Sequence, residues 1–219
     1  MLSRLAAAFA LILFLEGPPV HAEDKDYLQR GEGKLTAPYE IKYDRAVRHV
    51  LSRAWRKDVV LRMVDIPPFG PEWVGGVCRE TGGYHAFGVV APKNIWSQLG
   101  FGSDEPNSKK VDYRVIRPAV FERAISETIA VRVMALWRRV LTDQRNYGKD
   151  PAIHLDTDQF SFYLAFAPGE KLTARMTGWG SKVEQLLDVA DALVVYADGT
   201  ITDRKLLKVV AKAEKKLGI

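Results

Sequence analysis

The only cysteine of the chain and one of its four histidines lie close together in the stretch CRETGGYHAFGVV, which begins at Cys78. A thiolate and an imidazole can act as nucleophile and base, and a carboxylate such as Glu80 can pair with His85. The two glycines between them can adopt the positive φ angles of a tight hairpin turn. The stretch therefore predicts a β-hairpin that carries all three side chains.

The register of this hairpin bears on whether its side chains do chemistry. With Gly82 and Gly83 as the two loop residues, Glu80 faces His85 across the hairpin and Cys78 faces Phe87, diagonal to His85. A cysteine in the middle of a strand lacks the helix dipole and the exposure that activate a thiol. We therefore expect a buried thiol, no catalytic residue, and a binding or structural pair formed by Glu80 and His85.

A second group of candidate ligands lies in HLDTDQ, where His154, Asp156 and Asp158 alternate. In an extended segment all three would project to one side, as the ligands of a metal ion can. The group holds one histidine, and no acidic cluster repeats nearby. We therefore expect a polar turn here, and no metal or other cofactor.

Two tryptophans lie beside glycines, Trp73 in GPEWVGG and Trp179 in TGWGSK. An indole in such a position can stack on a sugar or a partner, although it can equally fill the core. The predicted binding residues are Glu80, His85, Trp73 and Trp179.

The first 22 residues have the three parts of a secretory signal peptide. Arg4 precedes the apolar run LAAAFALILFL, and small residues lie at the −3 and −1 positions of a cleavage site after Ala22. The apolar run is 11 residues long, whereas a membrane span needs about 20. We expect cleavage near Ala22, a periplasmic or secreted protein, and no transmembrane segment in the mature chain.

Composition and charge constrain the mature chain beyond this leader. The apolar fraction of 47% and the five tryptophans favour a packed core, and we expect a flexible arm over residues 23–40 and one domain over 41–219. A single cysteine excludes an intramolecular disulfide. The net charge of +5 is concentrated near residues 42–62 and 204–216. Outside the cytoplasm, a basic surface suits an anionic envelope component or an acidic protein better than nucleic acid, unless it is simply a solvated helix face.

Periodicity predicts an α+β fold: an antiparallel sheet of about five strands with helices packed mainly on one face, in the order α-β-β-β-α-β-β-α-α. The longest predicted helix covers residues 117–145. The other elements are a helix over 41–57, strands over 59–66, 73–80 and 84–91, two strands within FSFYLAFAPGEKLTARMTGW, a helix within SKVEQLLDVADALVVYADG, and a last helix over 202–217.

These features favour an exported, non-enzymatic binding or interaction protein of the bacterial envelope, for example one that neutralises or inhibits another envelope protein. The alternative is an envelope hydrolase of a cell-wall or other polymer, using Glu80 with His85 or the HLDTDQ group. A third possibility, a carrier of small ligands or lipids, needs an apolar cavity beneath one side of the FSFYLAF strand. That side carries Phe160, Phe162, Leu164 and Phe166.

Overall fold

A computed structural model describes residues 28–30, 38–100, 112–145, 158–167, 169–177 and 181–219. The expected leader lies outside these ranges. The strands are β1 (Leu28–Arg30), β2 (Val59–Ile66), β3 (Trp73–Glu80), β4 (Gly83–Val90), β5 (Ala119–Ile125), β6 (Gln144–Arg145), β7 (Gln159–Ala167) and β8 (Glu170–Thr177). The helices are α1 (Pro38–Val50), α2 (Ile95–Gln98), α3 (Glu127–Thr142), α4 (Ser181–Ala197) and α5 (Asp203–Leu217), and 3-10 turns cover Ser52–Trp55 and Tyr113–Val115.

The six long strands form one open antiparallel sheet in the order β5-β4-β3-β2-β7-β8. Beside β8, the short strand β1 pairs antiparallel with β8 and parallel with the two-residue β6. The α+β class predicted from the sequence is confirmed, with six long strands where about five were expected. Residues 28–30 lie within the expected flexible arm but form β1, because their backbone pairs with β8.

Each face of the sheet has its own hydrophobic core, as the alternation of side chains along a strand requires. Helices α3, α4 and α5 cover one face, where Trp137 and Leu193 pack against Phe162 and Met63. We call this the first core. Helices α1 and α2 cover the other face, where Val47 lies in one cluster with Val64, Val74, Phe87 and Ile95. We call this the second core. Three of the four longer helices therefore lie on one face.

Helix α4 approaches β3 and β4 closely because both strands present glycine to it. Gly75 and Gly88 are cross-strand partners. A Cβ added at Gly88 would lie 2.7 Å from Val194 Cγ1, and one at Gly75 would lie 2.4 Å from the carbonyl oxygen of Ala190. Both distances are too short for a real contact, so the absence of side chains on the two glycines sets the depth at which α4 packs.

The predicted helix over residues 117–145 is wrong in its first third. Residues Ala119–Ile125 form the edge strand β5, which pairs with β4 over its whole length. The helix begins only after Ser126, whose hydroxyl accepts a hydrogen bond from the Ile129 amide at 3.4 Å. Ser126 with Glu127 in the first turn is the usual start signal of a helix. The apolar residues before Ser126 also fit a helical stripe, which masked that signal.

Candidate functional site

The β3–β4 hairpin has a different register from the one expected. Glu80 pairs with Gly83, so Thr81 and Gly82 form the loop, and Cys78 pairs directly with His85. Of the two glycines only Gly83 adopts a positive φ, at 126°, and it does so as the first residue of β4, so the turn differs from the expected one with both glycines at positive φ. Phe87 pairs with Gly76 instead of Cys78.

Arg53, in the 3-10 turn after α1, lies at the centre of the polar side of this hairpin. Its side chain is only 8% exposed. The guanidinium donates to Asp58 at 3.0 Å and to Glu122 at 3.0 Å, and it lies 3.7 Å from Glu80. It also stacks over the Phe87 ring at 5.2 Å. A single buried cation therefore links the turn to β3, β4 and β5.

The thiol of Cys78 is fully buried and belongs to this same group. Arg53 Nη2 donates to the sulfur at 2.9 Å, and the thiol lies 3.6 Å from the His85 carbonyl oxygen. Burial raises the pKa of the Cys78 thiol to about 11, although the positive charge of Arg53 acts in the opposite direction. Since the thiolate is the nucleophilic form, the thiol is held in its unreactive state at neutral pH.

His85 and Glu80 lie at the outer edge of the group. The His85 Nδ1 atom lies 4.0 Å from a Glu80 carboxylate oxygen, which is an ion-pair contact only when the imidazole is protonated. Arg56 approaches the same carboxylate at 3.6 Å from the solvent side. Glu80 and His85 are therefore close, as expected, but on a diagonal and within a larger cluster. We call Arg53, Arg56, Asp58, Cys78, Glu80, His85 and Glu122 the hairpin cluster.

The hairpin cluster also contains donors that suit a metal ion. Ligand atoms of Cys78, His85 and Glu122 lie within 4.8 Å of one another, and so do those of Asp58, Cys78 and Glu80. Thiolate, imidazole and carboxylate are ligands of zinc in other proteins. Here the guanidinium of Arg53 already contacts the sulfur and Glu122. A metal ion would have to displace this resident cation, so the donor set does not fit a metal site as it stands.

Sequence reasoning missed Arg53, Asp58 and Glu122. Arg53 lies in the segment 41–57 that periodicity predicts as a helix, and Glu122 lies in the predicted helix over 117–145, so the sequence places neither residue beside the hairpin. The contact between Arg53 and Glu122 joins residues 69 positions apart. No local pattern signals such a contact, because it depends on β5 pairing at the edge of the sheet.

The contacts of Trp73 that the structure describes are structural ones. It is the cross-strand partner of Asp65, packs against the first core, and donates a side-chain hydrogen bond to Asp65. Burial raises the pKa of Asp65 to about 7, and the nearby charges of Asp158 and Glu72 act in the same direction. Asp65 is thus a buried carboxyl group that sequence reasoning did not single out.

Several predicted candidates lie outside the described residues: Trp179, His154 and Asp156. Of the three candidate ligands in HLDTDQ, only Asp158 is described, and its charge helps to raise the pKa of Asp65. The basic stretches fall on different helices. The lysines of α5 lie over the first core and the exposed Lys42 and Arg45 of α1 lie over the second, on opposite faces of the sheet.

Among the described residues, no helix has both the length and the apolar character needed to cross a bilayer. Comparison of the chain with known protein families, with curated proteins and with solved structures found no match in any of the three.

Proposed function

We propose that the protein is an exported, non-enzymatic binding protein of the bacterial envelope, which engages another envelope protein through the surface around the β3–β4 hairpin. Neutralising or inhibiting that partner is the role that such a protein would have. Its periplasmic or secreted location is part of the proposal and rests on the sequence of residues 1–22.

The observation that carries this proposal is the state of Cys78. The one side chain able to serve as a strong nucleophile is fully buried, has a raised pKa, and is hydrogen-bonded to Arg53. Around it, the outer members of the hairpin cluster remain accessible, with Arg56 54% and Glu80 39% exposed. This combination suits recognition by charge: a rigid centre holds exposed charges in place.

The charges of the hairpin cluster also indicate the chemistry of the partner surface. Two arginines face three carboxylates, Asp58, Glu80 and Glu122. With a neutral His85 the cluster has one excess negative charge. A partner with a lysine or arginine at the matching position would complement it.

A charge-reversal experiment tests the proposal. The purified protein is cross-linked in envelope extract of its host, and the captured partner is identified and then titrated as a purified protein. Glu80→Lys should weaken binding about tenfold or more, since like charges then meet at the interface. Lys208→Glu on α5, an exposed change of equal size on the other face, should leave the affinity unchanged. Equal affinity of both variants would contradict the proposed surface.

An envelope hydrolase acting on a cell-wall or other polymer is the second candidate, and one observation favours it: Cys78, His85 and Glu122 meet within 4.8 Å. Its test is release of soluble fragments from purified cell-wall polymer. Hydrolysis by the intact protein that is lost in His85→Ala and Glu80→Ala would establish this function in place of binding. Unchanged hydrolysis in both variants would exclude the hairpin as its site.

A further inference from the structure

The other face of the same hairpin borders an open apolar cavity of about 510 Å³. Tyr84 and Arg79, which are cross-strand partners, point away from the hairpin cluster and towards α3. Helix α3 provides the opposite wall through Val131, Met134 and Ala135. The volume lies within the range of roughly 300–1,000 Å³ that is typical of small-molecule sites.

The end of β7 forms the floor of this cavity and explains why it is not filled. Phe160, Phe162 and Leu164 are buried under the helices of the first core, whereas Phe166, on the same side of the strand, is 38% exposed. The covering layer of helices therefore ends before the strand does. Leu164 and Phe166 line the cavity together with Val60 of β2.

Two arginines frame the cavity, and each lies over an aromatic ring that lines it. Arg138 of α3 stacks on Phe166 at 5.0 Å, and Arg79 stacks on Tyr84 at 5.6 Å. Among the described residues, no carboxylate forms an ion pair with either guanidinium, and no acidic residue lines the cavity. The site therefore combines an apolar interior with a positive rim, to which the described part of the chain supplies no counter-charge.

From this pairing we infer that the cavity binds a free single-chain amphiphile with an anionic head, of the fatty-acid type. The acyl chain would lie along Val131, Met134 and Phe166, and the carboxylate would accept hydrogen bonds from Arg138 and Arg79. Arginine is suited to this contact because its planar fork matches a carboxylate. A cationic amphiphile of equal length would meet two positive charges and be rejected. This site is separate from the surface of the proposed protein partner, which lies on the opposite face of the sheet.

The test is calorimetric titration of the purified protein with micromolar dodecanoate. We expect saturable binding of one equivalent, and markedly weaker binding of dodecyltrimethylammonium. Arg138→Gln should weaken dodecanoate binding about tenfold, the usual effect of losing one charge-assisted hydrogen bond. Arg138→Lys should retain part of the affinity for dodecanoate. Arg139→Gln, which changes an exposed neighbour outside the cavity, should leave that affinity unchanged.

A second pair of variants tests whether the acyl chain of the ligand lies in the cavity. Ala135→Trp places a large ring in the cavity from an exposed helix position and should abolish binding, while Ala211→Trp, at an exposed position on α5, should not. Circular dichroism confirms that each variant is folded. Three results would each overturn the inference: no saturable binding of dodecanoate, equal binding of the cationic amphiphile, or binding only to anionic phospholipid vesicles and not to free dodecanoate.

Discussion

Arg53 shows how one side chain can change the chemistry of its neighbours. Its guanidinium is a buried cation that donates hydrogen bonds to Asp58, Cys78 and Glu122. Without it, two carboxylates and a thiol would face one another in a partly desolvated pocket, and like charges in such a place repel. The residue therefore stabilises the fold and keeps the hairpin cluster in one arrangement.

Replacing Arg53 with methionine should lower the free energy of unfolding by about 2 kcal/mol, because removal of one partner leaves buried charge without compensation. The carboxylates are partly exposed, which keeps the loss below that of a fully buried pair. Arg56→Met, which removes the exposed arginine of the same cluster, should cost less than about 0.5 kcal/mol. Urea unfolding of both variants measures the difference. Equal losses would show that Arg53 has no special role.

Asp65 makes stability depend on pH in a direction opposite to that of most carboxylates. Burial raises its pKa to about 7, well above the value of about 3.9 in an unfolded chain. The folded protein therefore keeps a proton that the unfolded chain releases, so this stabilising contribution is present below pH ~4 and is lost as the pH rises to ~7.

Asp65→Asn mimics the protonated form and should become more stable than the natural protein as the pH rises. The difference in unfolding free energy should be small at pH 4 and reach up to about 4 kcal/mol at pH 8. Glu170→Gln, an exposed change on β8, serves as the control and should show no such trend. A difference that is the same at both pH values would mean that folding does not raise the pKa of Asp65.

At the scale of elements, the seating of α4 on two glycines is the feature most open to test. Gly88→Ala should destabilise the protein by about 1–3 kcal/mol, because the new methyl group meets Val194. The double variant Gly88→Ala, Val194→Ala should be destabilised by less than the sum of the two single variants, since the smaller side chain at position 194 leaves room for the new methyl group. Gly82→Ala is the control, as an added Cβ there meets nothing within 4 Å. Strict additivity in thermal unfolding would contradict this packing.

Elements with a strong local pattern could be predicted, and those fixed by tertiary contacts could not. Strands β2 and β3 have the predicted bounds, because β2 is mostly β-branched and apolar and ends before Pro67, and β3 ends at the hairpin turn. Strand β5 was missed because its sequence fits a helix equally well, and pairing with β4 decides the outcome. The predicted register of the hairpin was wrong by two residues, since Cys78 pairs with His85 and not with Phe87. Two adjacent glycines allow more than one turn, and the contacts of Cys78 with Arg53 and Glu122 select among them.

At the scale of the whole molecule, one sheet separates two cores that cannot form independently. Leu136 belongs to the first core and Val47 to the second. Leu136→Ala and Val47→Ala should therefore each shift the same single unfolding transition to lower temperature, whether it is followed by far-ultraviolet or by near-ultraviolet circular dichroism. Two separate transitions, one affected by each variant, would show that the two layers unfold independently.

The sheet also determines when Cys78 meets solvent. The thiol lies in the second core, under the turn that carries Arg53, and Phe87 is part of the same cluster. A reagent can reach it only when this layer separates from β3 and β4. The rate at which Cys78 reacts therefore depends on how often this layer separates from the sheet and on how much of the thiol is ionised.

The rate at which Cys78 reacts with a disulfide reagent, measured in the native protein between pH 6 and pH 9, tests the account most directly. A buried thiol with a pKa of about 11 should remain unlabelled while the protein in denaturant is labelled completely, and the slow native reaction should accelerate in parallel with unfolding. Rapid stoichiometric labelling of the folded protein, with an apparent pKa near neutrality that shifts in His85→Ala, would show a poised nucleophile and contradict the account.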